Sequence, residues 1–215
     1  MSEYPVYMAF EFMPMGVAVR LWLTGLLLAS ATLAAVVLPL YALRPAVHHS
    51  IPDFYAVSRE VSLDELLEAA EERNLTLYLP SSLPEGFELT AVYLGEHEHL
   101  LAVLVYSAEG DEDYMTAELC VEVSEYAGGY KPPTLEELKS STNLGPGDRV
   151  LEVNGWPVVA YAKAYGPDSP EFVRKYGRYT HLVVVYTEEC RYMISSPVLT
   201  LEELLQLVRN MTPAS

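Results

Sequence analysis

Phe87-Glu88-Leu89-Thr90-Ala91-Val92-Tyr93-Leu94, then Gly95-Glu96-His97-Glu98-His99, then Leu100-Leu101-Ala102-Val103-Leu104-Val105-Tyr106-Ser107. Two runs rich in β-branched, aromatic and aliphatic residues flank a five-residue polar segment that opens on glycine. That pattern predicts two strands joined as a hairpin. A connection this short cannot support a parallel crossover, so the strands run antiparallel. Upstream, Leu75 to Leu79 reads as a short strand, followed by the proline-punctuated turn Leu79-Pro80-Ser81-Ser82-Leu83-Pro84-Glu85-Gly86. Downstream, the polar turn Glu109-Gly110-Asp111-Glu112-Asp113 precedes a third strand, expected from Tyr114 to Ser124.

Further along, Gly128-Gly129 and Pro132-Pro133 break the sheet, and Gly145-Pro146-Gly147 breaks it again. Arg149 to Val153 and Trp156 to Ala164 flank Asn154-Gly155, the strongest short hairpin signal. A polar excursion from Gly166 to Gly177 leads to a third hairpin, Tyr179 to Tyr186 with Arg191 to Ser195.

Helices are announced by one recurring start. Ser62-Leu63-Asp64-Glu65-Leu66, Thr134-Leu135-Glu136-Glu137-Leu138 and Thr200-Leu201-Glu202-Glu203-Leu204 each place a hydroxyl residue three positions before a glutamate, the capping-box spacing. The first helix is expected to end near Asn74 and the last near Asn210. The starts lie 72 and 66 residues apart, which hints at duplication. An acidic, well-capped helix N-terminus explains the repeat more simply. The expected fold class is α+β: an antiparallel twisted sheet covered on one face by two or three amphipathic helices.

Ahead of this domain, Leu21 to Leu43 holds no charged residue over 23 positions and is bounded by Arg20 and Arg44. At 1.5 Å per residue it makes roughly 34 Å of helix, enough to cross about 30 Å of hydrocarbon. Trp22 and Tyr41 sit near its ends, at the depths of the interfacial aromatic belts. The reading is a 1–20 tail, a 21–43 transmembrane helix, a 44–60 linker and a 61–215 domain. A cleaved secretory signal fits less well, because 20 residues precede the span and Ala29-Ser30-Ala31 lies in its middle. Met15 offers an alternative start that would leave a short basic n-region. Gly25 and Ala29 form a small-x-x-x-small pair on which a second helix could pack.

Half of the chain is apolar (51%), yet its net charge is −17, so the two characters are segregated. Residues 45–215 carry 28 acidic against 11 basic residues, while the first 44 carry two of each. Such a domain is repelled by phosphate backbones and anionic headgroups, which argues against nucleic acid or peripheral lipid as partners. The expected partners are membrane lipid, through residues 21–43, and another membrane or envelope protein. One arginine at each end of the span leaves orientation tied by charge. The sequons Asn74-Leu75-Thr76 and Asn210-Met211-Thr212 favour a domain outside the cytoplasm.

Cys120 and Cys190 either pair, closing a loop that stabilises by roughly 4 kcal/mol in the chain-entropy model, or are buried thiols. One glutamine and four asparagines against sixteen tyrosines resemble hyperthermophile composition, in which disulfides occur even inside cells.

The order of pieces resembles the DUF4367 type of domain of membrane-anchored or secreted bacterial and archaeal proteins, a shape similar to the lipoprotein-carrier and RseB-like half-barrels. The likeness rests on the helix from Leu63 to Glu72 running into Leu79-Pro80-Ser81-Ser82-Leu83-Pro84-Glu85-Gly86-Phe87-Glu88-Leu89, on Val153-Asn154-Gly155-Trp156-Pro157-Val158, and on Tyr192-Met193-Ile194 before Leu201-Glu202-Glu203-Leu204-Leu205. It covers roughly residues 61–211. In the penultimate strand Tyr186 stands where an aromatic, often Trp, is seen in the family. The resemblance implies fold and placement in the envelope and no active site, while the amide-poor composition points to a hyperthermophile, expected to be archaeal.

Chemistry is sparse. His97 and His99 would share one face of a strand and could begin a metal site, but no third ligand is evident and a solvated turn is the simpler reading; His48-His49 falls in the linker. Asp111-Glu112-Asp113 and Glu188-Glu189 could serve acid–base work or Ca²⁺, and acidic turns are ordinarily solvated. Ser195-Ser196 with His181 matches no triad signature, and Arg174-Lys175 with Arg178 is the domain's basic cluster. No phosphate loop, dinucleotide motif, nucleophile elbow or zinc-protease motif is present. No catalytic residue and no cofactor is expected. The leading expectation is a single-pass, extracytoplasmic binding, sensing or chaperone-like module without catalysis; the alternative is a structural accessory subunit of a larger membrane complex. A third reading is a metal-dependent hydrolase using His97 and His99.

Overall fold

The computed structural model describes residues 57–95, 98–128 and 130–214. In chain order these form β1 (Ser58–Glu60), α1 (Leu63–Glu71), β2 (Tyr78–Pro80), β3 (Glu88–Gly95), β4 (Leu101–Ser107), β5 (Leu119–Glu125), α2 (Leu135–Ser141), β6 (Arg149–Val153), β7 (Trp156–Tyr165), α3 (Pro170–Tyr176), β8 (Tyr179–Tyr186), β9 (Cys190–Ser196), α4 (Leu201–Arg209) and β10 (Met211–Pro213). The fold is α+β, mostly antiparallel sheet with four helices. The span 21–43 with Gly25 and Ala29, His48-His49, and His97 lie outside the described residues. Among the described residues no helix is long and apolar enough to cross a membrane.

Eight strands make one sheet in the order β1-β3-β4-β5-β9-β8-β7-β6, every neighbouring pair antiparallel. Two meanders, β3-β4-β5 and β6-β7-β8-β9, meet where β5 pairs with β9, with Val121 opposite Ile194. β2 and β10 form a separate two-stranded ribbon.

Side chains alternate along each strand, so one face of the sheet collects Val92, Leu104, Val121, Ile194, Val183 and Val158, all buried in one core. The amphipathic helices complete that core. α4 contributes Leu204, Leu205 and Val208, fully buried, and α1 contributes Leu66 and Ala70. At about 25 cal/mol per Å², burying each such leucine stabilises by roughly 2 kcal/mol. The ribbon adds Leu79 and Met211. The opposite face holds a smaller cluster, Ala91, Val103, Val105 and Ala117, edged by Tyr93, Tyr114 and Cys120.

All three expected capping boxes form. Ser62, Thr134 and Thr200 each accept a hydrogen bond from the N–H of the glutamate three residues on, and Glu65, Glu137 and Glu203 reach back to the cap N–H. These contacts hold the three carboxyls below their ordinary value.

Elsewhere the chain departs from expectation. Residues 58–60, read as linker, form β1 on the edge of the sheet, with Glu60 opposite Tyr93. The segment Gly166 to Gly177, read as an irregular excursion, contains α3, capped by Ser169, started by Pro170 and stopped by Gly177 at φ +86°. Its Phe172 is buried against Gly166, where a Cβ would overlap the Phe172 ring. β5 begins at Leu119, not Tyr114, because Asp113 accepts the Met115 N–H at 2.8 Å and its carbonyl accepts the Thr116 N–H, closing a turn there.

The possible disulfide does not form. Both cysteines are free. On the β5–β9 ladder Cys120 lies opposite Ser195 whereas Cys190 lies opposite Glu125, five positions along β5. Cys190 faces the main core and Cys120 the smaller cluster on the other side, so no S–S bond can span them without rearranging the sheet. Burial pushes both thiols up to about 12, leaving them protonated and unreactive at neutral pH.

Candidate functional site

At the end of the sheet where β6 turns into β7 and β8 into β9, an open groove of about 560 Å³ is bounded by four segments. They are Thr76 and Tyr78 leading into β2, Pro132 to Thr134 leading into α2, the Asn154 to Pro157 turn, and Tyr186 to Glu189.

Each wall is fixed by identifiable bonds. Asn154 (φ +54°) and Gly155 (φ +82°) supply the two positive-φ positions that a tight hairpin requires. The Asn154 Nδ2 then donates to the carbonyls of Val208 (3.0 Å) and Arg209 (3.3 Å), tying this turn to the end of α4. Trp156, the next residue, packs edge-to-face on Tyr78 with ring centroids 4.8 Å apart. The Tyr78 N–H donates to the hydroxyl of the fully buried Tyr192 at 2.9 Å, so this aromatic wall is anchored in the core. On the far side the Thr76 N–H donates to Glu189 Oε2 at 2.7 Å. The β8–β9 turn is closed by the Cys190 N–H donating to Thr187 Oγ1 at 3.1 Å and that hydroxyl donating to the Cys190 carbonyl.

What these bonds leave unused is informative. The indole N–H of Trp156 and the hydroxyls of Tyr78 and Tyr186 make no hydrogen bond to another described residue, and Glu188 is exposed without an ion pair there. Burial raises the Tyr186 phenol above its ordinary range, which keeps its proton in place as a donor. The groove therefore offers three aromatic rings, three proline rings, four donors with the Thr76 hydroxyl, and one unused carboxylate. It has no nucleophile beside a base. Its means are stacking, donation and charge.

A second hollow, of about 730 Å³, runs along α1 beside Asp64, Glu68, Glu71 and Asn74. No aromatic ring lines it.

The residues singled out from sequence fall elsewhere. His99 lies in a bend after β3, and among the described residues no group of three or more His, Cys, Asp and Glu side chains is placed to hold a metal. Asp111 and Asp113 serve their own loop: Asp111 Oδ2 accepts from the Thr116 hydroxyl at 2.9 Å and Asp113 Oδ1 from the Met115 N–H. Ser196 Oγ donates to the distant Glu118 carbonyl and accepts from the Val198 and Leu199 N–H groups, while His181 Nδ1 sits 2.7 Å from the Leu199 carbonyl; each is tied to backbone and the two are not bonded to each other. Lys175 pairs with Glu109 at 3.1 Å and Arg174 with Glu171 at 2.9 Å. Asn74 is exposed at positive φ, whereas the Asn210 amide donates to Ser82 Oγ and accepts from Gln206. Of the acidic turns considered, Glu188-Glu189 alone borders the groove. Asn154-Gly155-Trp156-Pro157, Pro132-Pro133 and Tyr186 carry separate local signals in the sequence, and no local signal joins them into the groove.

Compared with known protein families, with curated proteins and with solved structures, the chain matches none.

Proposed function

We propose that the protein is a single-pass membrane protein, anchored by residues 21–43, whose acidic α+β domain lies outside the cytoplasm and acts without catalysis as a binding or sensing module, chaperone-like toward another membrane or envelope protein. The half-barrel likeness to the DUF4367 type supports this placement and belongs to the same proposal. The observation that carries it is the groove, lined by Trp156, Tyr78 and Tyr186 with their donors unpaired among the described residues. Rigid aromatic anchors with low ordering cost are what protein-binding hot spots are made of. A net charge of −17 argues against polyanions as the cargo.

The test is chemical cross-linking of the full chain in its native membrane. A discrete adduct with a membrane or envelope protein is expected, and Trp156→Ala with Tyr186→Ala should abolish it while the domain stays folded. An adduct indifferent to both substitutions, but lost on Gly25→Leu with Ala29→Leu, would replace this reading with that of an accessory subunit held through its span.

A further inference from the structure

We infer that the groove takes an extended, proline-bearing protein segment with a basic residue beside its prolines. This rests on the binding reading above and names the occupant.

The first argument is shape and surface. The trough is lined by Trp156 and Tyr78, whose rings pack edge-to-face, by Tyr186 across the end of the sheet, and by Pro132, Pro133 and Pro157. A polyproline II helix presents pyrrolidine ridges every third residue and packs such rings between aromatic faces, and its order exists before binding, so little entropy is lost. The second argument is hydrogen bonding. Polyproline II has no internal hydrogen bonds, so its carbonyls need outside donors. The groove supplies donors in that form, the Trp156 N–H and the two tyrosine hydroxyls. Strand addition is not offered here, because the trough crosses the ends of β2, β7 and β8 and does not run along a strand.

A sugar would also stack on these rings, but sugar hydroxyls require several polar side chains free to turn inward. Most of those present are already committed, leaving the Thr76 hydroxyl and the Glu188 carboxylate. Asn154 holds α4, Glu189 holds the Thr76 N–H, and Thr187 holds the Cys190 carbonyl. The third argument is charge. Glu188 is exposed at the rim and makes no ion pair among the described residues, and the whole domain is acidic. A flanking Arg or Lys is attracted to that rim and a flanking carboxylate is repelled.

Trp22 and Trp156 are the two tryptophans of the chain. In a Trp22→Phe background the full-length protein in detergent reports Trp156 alone. The probes are Ac-Arg-Ala-Leu-Pro-Pro-Leu-Pro-amide, its Arg→Glu version, its all-Pro→Ala version, and maltohexaose. The arginine peptide should give a saturable blue shift of Trp156 emission, the alanine version at least tenfold weaker binding, and the glutamate version about tenfold weaker binding. Glu188→Gln should bring the arginine and glutamate peptides to within about threefold of each other. No saturable shift with the arginine peptide, equal binding of the alanine version, or a response to maltohexaose alone would overturn the inference. If the peptides fail while the cross-link still depends on Trp156, the occupant is wrong and the groove stands; if both fail, the binding reading falls too.

Discussion

Two acidic turns at opposite ends of the sheet look alike in sequence and do opposite things. Between β4 and β5, Glu118 is buried and accepts from the Ser107 hydroxyl at 2.8 Å and the Ala108 N–H at 2.7 Å, while Ser107 in turn accepts from the Glu109 and Asp111 N–H groups. Asp111, Asp113 and Lys175 complete a closed network. Between β8 and β9, Glu189 holds one backbone N–H and Glu188 holds nothing among the described residues. Carboxylate density therefore does not locate function in this molecule. Counting which polar groups the fold has already used does.

The contrast can be broken most forcefully at Glu118. Glu118→Ala leaves the buried Ser107 hydroxyl and the part-buried Ala108 N–H without their acceptor, at a cost of about 2 kcal/mol. Urea denaturation should show that loss, and Trp156 emission in the Trp22→Phe background should stay as it was. Next is Tyr192→Phe, which removes the acceptor for the Tyr78 N–H and should cost about 1–2 kcal/mol. Because Tyr78 carries the groove wall, this variant should also shift Trp156 emission, linking core to groove where Glu118 does not.

The capping boxes give a smaller, pH-dependent effect. Glu65, Glu137 and Glu203 ionise below their ordinary value of 4.5 in the folded chain, so the stability they contribute is present above that value and is lost as pH falls through the folded one. Thermal unfolding followed from pH 5 to pH 3 should show a falling midpoint, and Glu203→Gln should flatten that decline. Smallest of all, Glu188→Gln should leave stability unchanged to within about 0.5 kcal/mol, since exposed positions away from networks tolerate substitution. A larger loss in denaturation would mean that Glu188 is structural after all and that the two turns are alike.

Much of the fold was legible because its signals are local. Alternation over five or more residues located β3, β4, β6, β7, β8 and β9, Asn154-Gly155 located a hairpin, and three hydroxyl-to-glutamate spacings located three helices. What escaped was too short to show a period or depended on distant pairing. β1 and β10 have three residues each and exist through their partners β3 and β2. α3 has seven residues, one of them buried, although Ser169-Pro170 and Gly177 marked its ends. The groove draws on four segments between Thr76 and Glu189, and its defining contact joins Tyr78 to Trp156, which no local pattern can express. The strings that did stand out, His97-Glu98-His99 and the two cysteines, drew notice by residue type. For Cys120 and Cys190 the alternation of strand faces decided otherwise.

Oxidative footprinting of the full chain, in its native membrane and again after purification in detergent, tests the central claim most directly. The account predicts that Trp156, Tyr78 and Tyr186 are shielded in the membrane and become reactive on purification, while Tyr165, 80% exposed at the other end of β7, is labelled equally in both. Equal labelling of Trp156 in the two states, or shielding confined to Tyr165, would contradict it.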